Sequence, residues 1–347
     1  MFQPRSGLEV LPTYSVEEIS WPIRLDANES PYDMPPAVKA KVVETLSSLQ
    51  FNRYPELTAH SLKTTIAAGF GLKAANVLVG NGSSEILEKL CYAFGGAGRS
   101  IVYPSPSFSM YKIYAKLADS KPVPVALNED YTLDADALLE AAKQAEASVI
   151  LLCNPNNPTG GVLPPEQIEY IVANTQSLVV IDEAYHEFYG KTSVDLLGKY
   201  QNVAIARTFS KAYGLASARI GFLLTSESIA QTLGKVILPY CVNALTLATA
   251  EIVYNMRQEY AAGIAENSRE RIRMAAALSA LDGITVYPSQ TNFLLIKSDT
   301  ISEIIEKLSA KGIGIRDFSK VPGLINCIRS GVGTPAENNA VLEALTL

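Results

Sequence analysis

Between residues 83 and 224 short apolar runs alternate with stretches whose apolar positions recur every three or four residues. The spacing predicts a helix over 83–94, opening just after Gly80-Asn-Gly82, then a strand over 100–103. A helix over 108–117, a short strand over 121–125 and a helix over 133–142 follow. Residues 148–152 form a continuous apolar run, as a strand buried on both faces does. Pro164 and Pro165 open the next helix at its first turn, where a missing N–H is harmless. Residues 178–181 read as a strand ending on Asp182, and 202–206 and 220–224 as further strands. Such alternation predicts an α/β fold with an open, mostly parallel central sheet flanked by helices. Ligands gather at the carboxyl ends of such strands. Asn154, Asp182 and Thr208 each follow an apolar strand directly, so they are expected to converge there.

After about Pro239 the pattern changes. Residues 242–281 read as a long helix, broken near Gly263, followed by a strand over 293–296 and a helix over 301–308. Short apolar runs at 313–315 and 325–328 precede a terminal helix from Pro335. This predicts a smaller α+β domain. The expected organisation is an N-terminal arm over 1–25, a large domain over 26–241 and a small domain over 242–347.

Composition narrows the class of function. The 347 residues carry 29 basic and 35 acidic side chains, a formal charge of −6. An acidic balance provides no attraction for nucleic acid or an anionic membrane surface. The four cysteines, Cys91, Cys153, Cys241 and Cys327, lie far apart without metal-ligand spacing, as reduced cysteines of a cytoplasmic chain do. The first residues lack a basic-then-apolar signal pattern, and no apolar run reaches the roughly 18 residues of a membrane span. The expected compartment is the cytoplasm. His60 and His186 have no serine or cysteine elbow around them, so a hydrolase triad is unsupported.

Candidate chemistry centres on Lys211, in Thr208-Phe-Ser-Lys-Ala-Tyr-Gly-Leu-Ala-Ser-Ala-Arg219. With Asn157 and Ile181-Asp-Glu-Ala-Tyr185 upstream, it completes an ordered set of asparagine, acid, tyrosine, lysine and arginine. Pyridoxal phosphate needs such a set: a lysine for its aldehyde, an acid facing its ring nitrogen, and donors for its phosphate. Asp182 ends an apolar strand, where a carboxylate is costly without a partner, although strand-ending aspartates also cap helices. Tyr185 and Asn157 can reach the ring oxygen O3′. Gly80-Asn-Gly-Ser-Ser-Glu85 offers a turn, the hydroxyls of Ser83 and Ser84, and a helix N-terminus for an anion. Thr208, Ser210 and Arg219 can complete that cradle. Neither GxGxxG nor GK[ST] is present here, which removes the dinucleotide and P-loop readings. Phe108 can stack on the ring or serve as an ordinary core aromatic. Arg316 and Arg329 each follow an apolar run and suit a carboxylate, a phosphate or a structural ion pair.

These motifs, with Leu11-Pro-Thr-Tyr14, Leu25-Asp-Ala-Asn-Glu-Ser-Pro31 and Asn52-Arg-Tyr-Pro55, resemble the fold-type-I pyridoxal-phosphate-dependent aminotransferases over nearly the whole chain. Within that group the similarity is to the histidinol-phosphate aminotransferase family. The resemblance implies a large domain and a smaller α+β domain, and a homodimer in which Tyr54 of one subunit reaches the cofactor phosphate of the other. It implies that Tyr14, Arg316 and Arg329 hold the substrates, histidinol phosphate and glutamate or 2-oxoglutarate. Threonine-phosphate decarboxylases and aromatic aminotransferases share this scaffold and the lysine motif. Ser84 stands where the family often has Asp, and Ser330 where it often has Ile or Val.

Overall fold

The computed structural model describes residue 11 and residues 19–346. A seven-stranded sheet forms its larger core. Its order is Val77–Gly80, Gly221–Thr225, Val203–Thr208, Leu178–Asp182, Ala147–Cys153, Ser100–Ser105 and Lys121–Ala126. All neighbours pair in parallel except Gly221–Thr225, which runs antiparallel to both of its partners. That reversal has a consequence for residues 209–220. Parallel neighbours need a crossover, but antiparallel ones can be joined by a short return. The return therefore stays over the carboxyl end of the sheet and holds Lys211 there.

The side-chain period of two sorts the strand residues between two apolar layers. Ile150, Leu152, Val179, Ile181 and Ile205 pack on one face, against the helices Pro36–Ser47, His60–Ala68 and Ala244–Asn255. Val149, Leu151, Val180, Ala204 and Ala206 pack on the other, with residues of the helices Gly82–Phe94 and Met110–Leu117. The helix expected over 133–142 runs from Ala135 to Gln144, two residues later, because Asp134 caps it, accepting from the N–H groups of Asp136 and Ala137.

A second sheet has the order Arg316–Asp317, Cys327–Gly331, Phe293–Lys297 and Thr285–Val286, antiparallel throughout. Residues from the helices Ala261–Ser279, Ile301–Ala310 and Pro335–Thr346 close a separate core on it. Ile23–Arg24 pairs in parallel with Ile313–Gly314, so the chain enters beside this smaller body before crossing to the large sheet.

The long helix expected over 242–281 is two helices, Ala244–Asn255 and Ala261–Ser279, separated by a turn of 3₁₀ helix at Arg257–Tyr260. The interruption lies before Gly263, which sits inside the second helix. Arg257 explains part of it: its guanidinium takes the carbonyl of Tyr254 at 2.7 Å and lies over that residue's ring. The first helix buries Ala250, Val253 and Tyr254 in the large core, together with Val242 and Tyr260. Among the described residues no helix is long and apolar enough to cross a membrane.

Candidate active site

The carboxyl ends of the large sheet open into a cavity of about 540 Å³, closed on its far side by the smaller sheet. Asp182 forms its floor. Strand alternation turns Asp182 to the same face as Leu178 and Val180, and Thr208 to the same face as Ala204 and Ala206. The next residues, Glu183 and Arg207, serve the opposite face. There Arg207 bonds Glu183 through Nε at 3.0 Å and Nη2 at 2.8 Å, and Ser193 N–H donates to the same carboxylate at 2.6 Å. A fully partnered ion pair thus braces the two strand ends that carry Asp182 and Thr208.

Among the described residues Asp182 has no cation beside it. The Tyr111 hydroxyl donates to its Oδ2 at 3.0 Å, and Oδ1 is buried without a partner. Burial pushes its carboxyl up to about 6, while the Tyr111 hydroxyl and the Ala184 N–H pull it down and Glu183 pushes it up. A buried carboxylate with an orphaned oxygen is costly unless a cation is brought to it.

Lys211 is half-buried, and its Nζ donates to the Ala27 carbonyl at 3.0 Å. Burial, with Arg329 and Arg219 and against the opposing pull of Glu29, lowers its amine to about 8. About a tenth of the amine is therefore neutral at pH 7, far more than for an ordinary lysine.

Ser83 and Ser84 lie at the start of the helix Gly82–Phe94 and line the cavity with Thr208, Ser210 and Arg219. Asn81 makes no side-chain cap there; its amide donates to the Cys241 carbonyl at 2.8 Å. The first-turn N–H groups are left for an anion. Gly82 has φ +79, and a Cβ on it would stand 2.8 Å from Arg219 Nη2, so glycine admits the guanidinium. Arg219 adopts φ 51, strain that non-glycine residues carry mainly at functional positions. Its Nη1 reaches Ser210 Oγ at 3.4 Å.

Phe108 and Tyr185 line the same cavity. Tyr185 OH accepts from the Asn28 amide at 3.0 Å, and its ring meets Phe293 edge-on. Asn157 Oδ1 accepts from Arg329 Nη1 at 2.6 Å. Arg329 Nη2 donates to the Asp26 carbonyl at 2.7 Å, and the guanidinium lies over the rings of Phe293 and Phe318. Arg316 stands opposite Arg329 in the antiparallel pair. Like charges placed directly opposite repel, and the Arg316 guanidinium has no ion pair among the described residues. The arrangement suits an anion shared by the two side chains.

Twelve of the expected site residues therefore share one cavity: Ser83, Ser84, Phe108, Asn157, Asp182, Tyr185, Thr208, Ser210, Lys211, Arg219, Arg316 and Arg329. Tyr54 is not among the residues lining it; that side chain is 82% exposed and stacks on Tyr240 at 4.7 Å. Tyr14 lies outside the described residues. Three contributors had no role assigned from sequence: Asn28, Cys153 and Tyr111. Asn28 falls within the Leu25–Pro31 motif, the one sequence signal that covered it, and the structure gives it φ 54. Cys153 was expected only as a reduced cysteine, and Tyr111 had no reading of its own. Among the described residues no group of three metal-ligating side chains occurs.

The family "Aminotransferase class I and II" matches the chain over residues 22–345. The chain is 38% identical over 346 residues to the histidinol-phosphate aminotransferase of Thermoanaerobacter pseudethanolicus, covering 98% of this chain and 97% of that one. Its fold matches the histidinol-phosphate aminotransferase of Sinorhizobium meliloti in complex with pyridoxal-5'-phosphate at TM-score 0.90 and 26% identity, over 99% of this chain and 97% of the other. The L-threonine-O-3-phosphate decarboxylase of Porphyromonas gingivalis matches at TM-score 0.82 and 25% identity, over 93% and 98%. The chain belongs to the class I and II aminotransferase family.

Proposed function

We propose that the chain is a pyridoxal-phosphate-dependent aminotransferase that exchanges the amine of histidinol phosphate with the ketone of 2-oxoglutarate, giving imidazole acetol phosphate and glutamate. One observation carries the reading: a single cavity holds an amine of lowered basicity, a buried carboxylate with an orphaned oxygen, and two arginines facing each other across neighbouring strands.

The residues fit the cofactor. Asp182 would face the protonated ring nitrogen, which answers its missing partner. Asn157 and Tyr185 would bind O3′, and Phe108 would cover the ring face. Ser83, Ser84, Thr208, Ser210 and Arg219 would hold the phosphate. When bound, pyridoxal phosphate supplies an aldehyde for amines and an electron-poor ring that stabilises charge at the substrate carbon. Lys211 would hold the aldehyde until the substrate amine displaces it, and its freed, neutral Nζ would then take the proton from the amine-bearing carbon of the substrate. Arg329 is held in place by Asn157 and Asp26, so its guanidinium is oriented in advance for an anion. Histidinol phosphate carries its phosphate on the carbon next to the amine-bearing carbon, and glutamate carries its α-carboxylate at the same place. One arginine can serve both half-reactions, with Arg316 and Tyr14 completing the substrate pocket.

The enzyme acts as a homodimer in the cytoplasm. Leu57, Leu238 and Tyr240, with Tyr54 stacked on Tyr240, form an exposed apolar group at a second cavity of about 430 Å³, a surface that suits a second copy. There Tyr54 of the partner subunit would reach the phosphate cradle.

The test is glutamate formation from histidinol phosphate and 2-oxoglutarate, with phenylalanine and threonine phosphate as rival substrates. Carbon dioxide released from threonine phosphate, without amine exchange on histidinol phosphate, would replace this reading with the decarboxylase one.

A further inference from the structure

Tyr111 has no place in the scheme above, yet it touches two of its parts. It is fully buried in the first turn of the helix Met110–Leu117, and its hydroxyl donates to Asp182 Oδ2 at 3.0 Å. Its backbone N–H bonds the Phe108 carbonyl at 3.0 Å. Its ring meets Phe108 at 5.6 Å and 90°, and Tyr103 at 6.2 Å and 68°. Aromatic packing on two sides leaves the phenol one direction to point.

We infer that Tyr111 is a positioning residue for the proposed reaction: its hydroxyl keeps Asp182 ionised and in one orientation under the cofactor ring, and ties that acid to the ring-covering Phe108. The inference rests on the cofactor reading above and adds to it a residue that would touch neither cofactor nor substrate. A carboxylate buried without a cation drifts towards its protonated form, which cannot hold a cationic ring nitrogen. A phenol whose own ionisation is pushed far up by burial remains a donor at every working pH. Donation to the charged form opposes the drift. The other groups facing Asp182 do not replace it. Tyr114 comes from the same helix, the Cys153 thiol from the neighbouring strand, and Tyr185 and Glu183 from the segment after Asp182. Of these, Glu183 pushes Asp182 towards protonation, and the Ala184 N–H is the one further donor.

The sign of the pH dependence follows. Removing the phenol raises the Asp182 carboxyl from about 6 towards neutral pH. Cofactor binding should then weaken most at low pH and recover as pH rises. Lys211 titrates in both proteins, so the ratio of the two affinities removes its contribution. A purely structural role for Tyr111 would weaken binding equally at every pH.

The experiment measures the dissociation constant of pyridoxal phosphate by absorbance titration across this pH range, for wild type, Tyr111→Phe, Asp182→Asn and the double variant. Phenylalanine preserves the ring contacts. The expected result is binding weakened about tenfold by Tyr111→Phe near pH 6, as for loss of a hydrogen bond to a charged group. The loss should fade at alkaline pH and be absent in the Asp182→Asn background. Ring-fluorinated tyrosine at position 111, a stronger donor of nearly the same shape, should move the wild-type profile to lower pH. A pH-independent loss, an equal loss in the Asp182→Asn background, or an unmoved profile with fluorotyrosine overturns the inference alone. A wild-type protein that binds no cofactor overturns the reading of the site and this inference with it.

Discussion

Asp182 ends the middle strand of the seven-stranded sheet, whereas Arg316 and Arg329 face each other at the edge of the four-stranded one. The acid is surrounded by the large core, which leaves one of its oxygens without a partner and raises its carboxyl. The arginines are treated unequally. Arg329 is 7% exposed, held by two hydrogen bonds and packed over two rings; Arg316 is half-buried, and its guanidinium has no ion pair among the described residues. The large sheet thus prepares a fixed site for a cation that stays, and the small sheet one fixed and one adaptable group for anions that come and go. Under the proposed function the chemical step would belong to the large sheet and the choice of substrate to the small one.

The strongest way to break that division is Lys211→Ala. Transamination should fall by about 10³-fold or more, the range for loss of a positioned acid–base and nucleophilic group. Borohydride should no longer trap cofactor on the protein. The melting temperature should not drop, because a buried amine of lowered basicity does not stabilise the fold. Near-normal glutamate production by this variant would sink the mechanism.

Next come the arginines. Arg329→Lys removes the fork held by Asn157 and Asp26, so kcat/KM should fall by about 10- to 100-fold for histidinol phosphate and glutamate alike. Arg316→Lys should cost less, about fivefold, because an adaptable side chain is more easily replaced. Steady-state kinetics on both half-reactions checks the order, and a larger loss at Arg316 would reverse the assignment of fixed and adaptable partner.

The pH profile sharpens the comparison without a mutation. Capture of pyridoxal phosphate needs neutral Lys211, so its rate should rise with pH through about 8. Retention needs ionised Asp182, so affinity should fall as pH drops through about 6. Stopped-flow absorbance reads the first and equilibrium titration the second. The smallest effect is a control in the scaffold: Asp134→Ala removes a helix cap away from the cavity and should cost about 1 kcal/mol of stability in a denaturant titration, with kcat/KM unchanged.

Much of the site was legible in the chain because its signals are local. An apolar run ending in an acid, two glycines before a helix, and a lysine in a short return are each written within a dozen residues. Their convergence followed from one rule, that strand ends of a parallel sheet share an edge. Tyr111, Asn28 and Cys153 escaped for the opposite reason. Tyr111 meets Asp182 across 71 residues and Asn28 meets Tyr185 across 157, and nothing in their own neighbourhoods encodes the partner. The long helix was misjudged similarly. Gly263 looked like the breaking point, but Arg257 and its contact with Tyr254 interrupt the helix earlier. The change of pattern near Pro239 suggested a boundary at residue 241, while the helix Ala244–Asn255 buries its apolar side in the large core.

By itself, then, the sequence determined the alternating elements and the inventory of reactive side chains, since these depend on backbone period and turn chemistry. Tertiary structure alone decided that Asp182 would lack a cation, that Tyr111 would donate to it, and that two arginines 13 residues apart would stand opposite each other. Burial and cross-strand register set those features, and both are properties of the packed chain rather than of any segment of it.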